Sequence, residues 1–282
     1  MAAPRKKNRI LLVFMLFLLI LAAAGVLVSL ALWSSASAQR DALDAALRKS
    51  STELSIRRLA EEQRLSLAAS AQEDDELARR QRLALKESFL QRDREELALL
   101  VNPWQPLPEG YSPRLVPLGD GIFMDERAAG ALTEMLRVCF ASGTVPVPLS
   151  GYRTQEYQQE LFDKKVENLL RSGYSQDVVR DAAAQSVAVP GTSEHQLGFA
   201  IDIADLNNPD LDITQSWTDT QRWLAAHCTD YGFIVRYPEG TTDITGIIYE
   251  PWHYRYLGKS LAASVSASGL TYEEYLQQNN MP

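Results

Sequence analysis

Cysteine is scarce in this 282-residue chain, which has only Cys139 and Cys228. Two thiols cannot build a cysteine-based zinc cluster or an iron–sulfur site. Histidine is nearly as rare, with three residues, all after position 194. H-E-x-x-H and a glycine-rich phosphate loop are both missing, so zincin and nucleotide-binding chemistry lack support. There is no internal repeat. Basic charge is short where it would matter for nucleic acid: residues 101–282 carry 12 basic side chains against 23 acidic ones. Phosphate recognition rests on basic surface, so no nucleic-acid partner is expected.

Charge is absent altogether from residues 10–33, a run of 24 apolar or small residues. That length spans a bilayer as a helix. Four basic residues and no acidic one precede it, which places residues 1–9 in the cytoplasm and the rest of the chain outside. Ala36-Ser37-Ala38 resembles a signal-peptidase site, so cleavage after Ala38 is the alternative to a retained anchor. Either way the C-terminal region is exported. Proline and glycine are missing from 34–100, a stretch rich in Ala, Leu, Arg, Glu and Gln. Such a composition favours helix throughout. Its leucines keep no clean heptad, so a solvated helical stalk is expected, with self-association left open.

Asn102-Pro103, Pro106, Pro108-Glu109-Gly110 and Pro113 then break the helix, and a separate domain is drawn as 101–282. A helix over 125–142 opens on an Asp cap, and VPVPLSGYR reads as a strand running into a turn. Residues 154–186 read as mostly helical, with a break at Ser172-Gly173. A helix at about 218–230, a strand in YGFIVRYP, a β-rich ITGIIYEPWHYRY that closes the sheet and a last helix complete the chain.

The chemistry concentrates in GTSEHQLGFAIDIAD (191–205) and EPWHY (250–254). His195, Asp202 and His253 supply two imidazoles and a carboxylate, the open-site ligand set of catalytic zinc. Glu250, three residues before the last histidine, is then available as a general base. Phe199, Ile201 and Ile203 alternate with Ala200, Asp202 and Ala204, the period of a half-buried strand. His195 precedes Asp202 by seven residues, so a continuous strand would point them to opposite faces. The chain must bend between them, and Gly198 is the natural hinge. Pro251 cannot donate to a sheet ladder, and a turn there would bring Glu250 and His253 to one side.

At these residues the chain resembles the VanY-type D-alanyl-D-alanine carboxypeptidases, zinc enzymes that trim peptidoglycan. The likeness lies in S-x-H-x-x-G-x-A-x-D (Ser193 to Asp202) and the downstream E-P-W-H. It extends to VNPWQPLPEGY, SGYRT and the segment 231–258. The resemblance implies an α+β fold shared with hedgehog domains, a small antiparallel sheet with flanking helices. It also implies zinc on His195, Asp202 and His253, Glu250 as base, and Arg153 as a substrate or transition-state contact. Gln158 and Ser193 follow as further substrate contacts, with Trp252 as a wall of the pocket.

No motif claims His227, which is expected to be non-catalytic. Asp205, Asp210 and Asp212 lack the regular spacing and terminal Glu of a calcium loop and read as solvated charges. Export permits a Cys139–Cys228 disulfide without requiring one. The function expected is removal of the terminal D-alanine from stem peptides. An L,D-carboxypeptidase or endopeptidase on the same wall peptides, or a silent zinc-containing binding module, are the alternatives.

Overall fold

The computed structural model describes residues 5–281 and separates into two units, Met1–Leu85 and Lys86–Pro282. In the first, the described residues form helix α1, which runs Arg5–Leu97 and so ends inside the second unit. The apolar side chains from Ile10 to Trp33 are exposed, and this segment is long and apolar enough to cross a membrane. Leu43, Leu47 and Leu54 are exposed as well. Arg58–Glu62 and Glu76–Arg80 form i,i+4 ion pairs, each adding a few tenths of a kcal/mol to the helix.

The second unit begins fifteen residues before the boundary drawn at 101. The end of α1 is built into it: Arg127 pairs with Asp93 at 3.1 Å and Glu96 at 2.7 Å. Leu97 and Leu99 pack against the core, and Val101 is part of it. Composition could not reveal this, because the anchoring groups are the polar residues and carbonyls of a uniformly helical stretch.

Beyond the prolines come the hairpin β1 (Leu115–Gly119) and β2 (Ile122–Asp125), then α2 (Glu126–Ala141). Asp125 caps α2 by accepting from the Arg127 backbone N–H. Ala128, Leu132, Met135 and Cys139 recur at helical spacing and are all buried, giving α2 its core face. Strand β3 (Pro146–Ser150) leads to α3 (Gln155–Arg171) and α4 (Val179–Ala184). Next are β4 (Ala200–Asp205), α5 (Asp219–His227) and β5 (Phe233–Val235). One-turn α6 (Thr242–Thr245), β6 (His253–Tyr256), α7 (Lys259–Ser268) and α8 (Tyr272–Gln278) close the chain.

The main sheet is antiparallel, in the order β3-β4-β6-β5. Phe199, Ile201, Ile203 and Tyr254 join Leu132, Met135, Leu224 and Phe233 in the core cluster. Of the β-rich ITGIIYEPWHYRY only the last part, in β6, joins the sheet. Gly246 adopts φ 78°, and Ile247 and Ile248 line a cleft instead of a ladder. The strand follows Pro251 rather than preceding it. The final helix is divided at Gly269, where φ is 68°.

Strand β4 is buried along its whole length, not on one face as its alternation suggests. Asp205 is buried too, not solvated. Its carboxylate accepts from the Thr220 hydroxyl at 2.5 Å and the Asn207 N–H at 2.8 Å. Cys139 and Cys228 are both buried free thiols, and the Cys139 sulfur lies 3.0 Å from the Thr144 hydroxyl.

Candidate active site and metal centre

Three neighbouring strands place the site. Across the sheet, Ser150 is registered with Asp202, and Asp202 with His253. Directly opposed residues of antiparallel strands share a face with Cβ atoms about 4.5–5.5 Å apart. Asp202 and His253 therefore meet by register alone. His195 reaches them from a 3-10 turn, Glu194–Leu197, that ends on Gly198 with φ 78°. A side chain at Gly198 would also crowd the Pro113 ring and Asp125. The hinge is required on both counts.

The His195 ring is fixed from behind. Its Nδ1 is 2.7 Å from the Gly151 carbonyl, so Nδ1 carries the proton and Nε2 faces Asp202 Oδ2 at 3.2 Å. Gly151 has no room for a side chain, which would strike the Phe123 carbonyl oxygen. On the other side, His253 Nδ1 lies 3.1 Å from Asp202 Oδ1. The two imidazoles meet edge to face with centroids 4.8 Å apart. Ligand atoms of His195, Asp202 and His253 all lie within 4.8 Å of one another, buried, and can hold a metal ion. Two nitrogens and one carboxylate oxygen suit zinc and leave a coordination position open.

Glu250 enters through the turn at Pro251, where the His253 N–H donates to the Glu250 carbonyl. Its carboxylate is 3.7 Å from His253 Nδ1. Burial pushes the Glu250 carboxyl up to about 8, with the Asp202 charge adding to the rise and His253 opposing it. A carboxyl poised near working pH can both take and return a proton. Burial, reinforced by the Arg153 charge, brings His195 down to about 4, so its ring is neutral and able to ligate. Burial acts downward on His253 as well, but the neighbouring carboxylates of Asp202 and Glu194 outweigh it and raise the ring to about 9.

Arg153 is paired. It donates from Nη2 to Asp202 Oδ2 at 2.6 Å and from Nε to the Ser150 hydroxyl at 2.9 Å. Its guanidinium still borders a cleft of about 680 Å³ together with Ser193, Glu250 and Trp252. Gln158 is fully buried and does not border this cleft; it donates to the Ala188 carbonyl at 2.7 Å, holding the loop that does. His227 stacks on Trp223 at the end of α5, apart from the cluster.

Sequence reasoning missed the charges behind the metal cluster. Glu194 is buried between Arg236, at 2.8 Å, and Arg255, at 3.1 Å. Arginines at inward positions of the apolar runs FIVRY and WHYRY were the available signal, since a charge there needs a buried partner.

Residues 121–259 match the family described as VanY, D-alanyl-D-alanine carboxypeptidase. A D-alanyl-D-alanine carboxypeptidase of Enterococcus faecalis is 43% identical over 187 residues, covering 66% of this chain and 68% of that protein. This chain belongs to the VanY family. Among solved structures it is similar to VanYB in complex with D-alanine-D-alanine, at 41% identity and TM-score 0.59, covering 64% of this chain and 97% of that one. A point mutant of the D,D-pentapeptidase VanY from a VanB-type resistance cassette, in complex with Zn(II), matches at the same identity and TM-score, covering 64% and 99%. The L,D-carboxypeptidase LdcB is 34% identical at TM-score 0.57, covering 65% and 87%.

Proposed function

We propose that this VanY-family chain is a zinc-dependent D-alanyl-D-alanine carboxypeptidase of peptidoglycan stem peptides, with zinc held by His195 Nε2, Asp202 and His253 Nδ1. The observation that carries the reading is the convergence of those three buried ligand atoms beside Glu250 at the floor of one cleft. Zinc bound there supplies Lewis acidity to the scissile carbonyl and to an attacking water. Glu250 takes the proton of that water and passes it to the departing D-alanine amine, so one carboxyl serves as base and then acid. Arg153, held in place by Ser150 and Asp202, presents positive charge to the substrate carboxylate or to the developing oxyanion. Ser193 and Trp252 line the same cleft and contact the peptide. Gln158 acts on substrate through the loop it secures at Ala188.

Residues 10–33 act as the anchor, with the basic flank cytoplasmic and residues 34–282 outside, where the wall peptides are. Removal of D-alanine from tetrapeptides, an L,D cut, is the second reading; the likeness to LdcB favours it.

Metal content and turnover decide the first reading. The purified protein should hold about one zinc per chain, lose activity to chelators and recover it with zinc. His195→Ala, Asp202→Ala and His253→Ala should each release the metal. Full activity in a metal-free preparation would contradict the assignment.

A further inference from the structure

We propose that Glu194 is a positioning residue of the metal centre: its carboxylate receives the Nε2–H of His253 and thereby aims Nδ1 of that ring at the metal. The inference rests on the zinc reading above.

The geometry is that of a ring used at both ends. His253 Nδ1 faces Asp202 Oδ1 at 3.1 Å, inside the ligand cluster. Its Nε2 points the other way and lies 3.6 Å from Glu194 Oε2. Both of these atoms are buried, and neither has a hydrogen-bond partner among the described residues. Buried polar atoms left unpaired are costly, and here each is the other's remedy. A neutral imidazole that gives its Nδ1 lone pair to a metal must carry its proton on Nε2. An acceptor at that position fixes both tautomer and ring angle.

Glu194 is in turn held rigidly. Its Oε1 accepts from Arg236 Nε at 2.8 Å and from Arg255 Nη1 at 3.1 Å, which leaves Oε2 for the histidine. Arg236 is locked by two further bonds to Glu273, at 2.9 and 2.6 Å. Arg255 lies two residues beyond His253 on β6, hence on the same face, opposite the small Ala200. Its Nη2 donates to the carbonyls of Leu97 and Leu99, at 3.0 and 2.9 Å. The end of α1 thus supports the metal centre through Arg255 and Glu194. A purely structural Glu194 would only neutralise the two arginines and leave zinc affinity alone.

The test uses the full-length chain in detergent, labelled with ¹⁵N-histidine; only three imidazoles contribute. In the zinc-loaded wild type, His253 should be protonated on Nε2 and His195 on Nδ1. Chelator competition should show zinc affinity falling about 10- to 100-fold in Glu194→Gln, the loss typical when an outer-shell partner of a metal ligand is removed. Glu194→Asp keeps charge for the arginines while drawing the carboxylate back from the ring, and should also loosen zinc. Circular dichroism of the metal-free forms should be unchanged. If neither variant folds, the wild-type tautomer decides by itself: protonation of His253 on Nδ1 overturns the proposal. Folded variants that bind zinc as tightly as wild type overturn it too, leaving the zinc reading intact. A wild type that binds no zinc removes both.

Discussion

Asp202 on β4 and His253 on β6 are Cα partners across an antiparallel ladder, and their side chains meet at 3.1 Å. The pairing of two metal ligands 51 residues apart is thus a property of strand register. A one-residue slip would send one of them to the opposite face. Ile201↔Tyr254, the next pair, packs its side chains into the core, so the register that buries the core is also the one that assembles the site.

Glu250→Gln should keep the fold and the metal while losing at least about 10²-fold in turnover, the lower range for a positioned general acid–base. The amide cannot accept the proton of water. Zinc content and kcat measured on one preparation check this. Loss of zinc from a folded Glu250→Gln protein would make Glu250 a ligand instead.

A chain starting at residue 86 should be more stable than one starting at 101. The shorter chain removes Asp93 and Glu96 from Arg127, the Leu97 and Leu99 carbonyls from buried Arg255, and the Ala98 carbonyl from the Tyr272 hydroxyl. Each buried donor left unpaired costs about 1–3 kcal/mol. The loss should reach at least about 2 kcal/mol, or roughly 4–8 °C in Tm for a domain of this size. Equal melting temperatures would show that the end of α1 is dispensable.

Acid should destabilise the domain through Asp125. Burial pushes its carboxyl up, but hydrogen bonds from Arg127 and the Arg114 backbone outweigh that and hold it below the ordinary 3.8. A lowered native value means the unfolded chain binds the proton first. The stabilisation is therefore complete above about 4 and is lost as pH falls through the native value. Asparagine also caps helices, so Asp125→Asn isolates the charge. The stability gap between wild type and Asp125→Asn, from urea unfolding, should be constant near neutrality and shrink below about pH 4. A gap independent of pH would remove Asp125 from the acid response.

What the sequence disclosed depended on the kind of signal. His195, Asp202, Glu250 and His253 sit in compact patterns, and the need for a bend at Gly198 followed from their spacing. The capped helix α2 was legible from Asp125 and its apolar period. Hairpin β1–β2 went unread, although Gly119-Asp120-Gly121 between apolar runs carried a turn signal and all three residues have positive φ. ITGIIYEPWHYRY joins the sheet only after Pro251, because Ile247 and Ile248 before it serve the cleft wall. Long-range charge networks were the least visible part. Nothing local ties Glu194 to Arg236 and Arg255, or Arg153 to Asp202, because those pairings exist only once the sheet has formed.

The cut itself is the most direct measurement. A defined stem pentapeptide ending in D-Ala-D-Ala, incubated with the zinc-loaded protein and followed by mass spectrometry, should lose one D-alanine and then stop. The same peptide with a C-terminal amide should react more slowly. It forfeits a charge-assisted hydrogen bond to Arg153 of about 1.5–3 kcal/mol, or roughly 10- to 150-fold, and Arg153→Ala should reduce that preference. Release of a single D-alanine from the acid, slowed in the amide, is the predicted result. Cleavage within the peptide, or turnover of tetrapeptide but not pentapeptide, would contradict it.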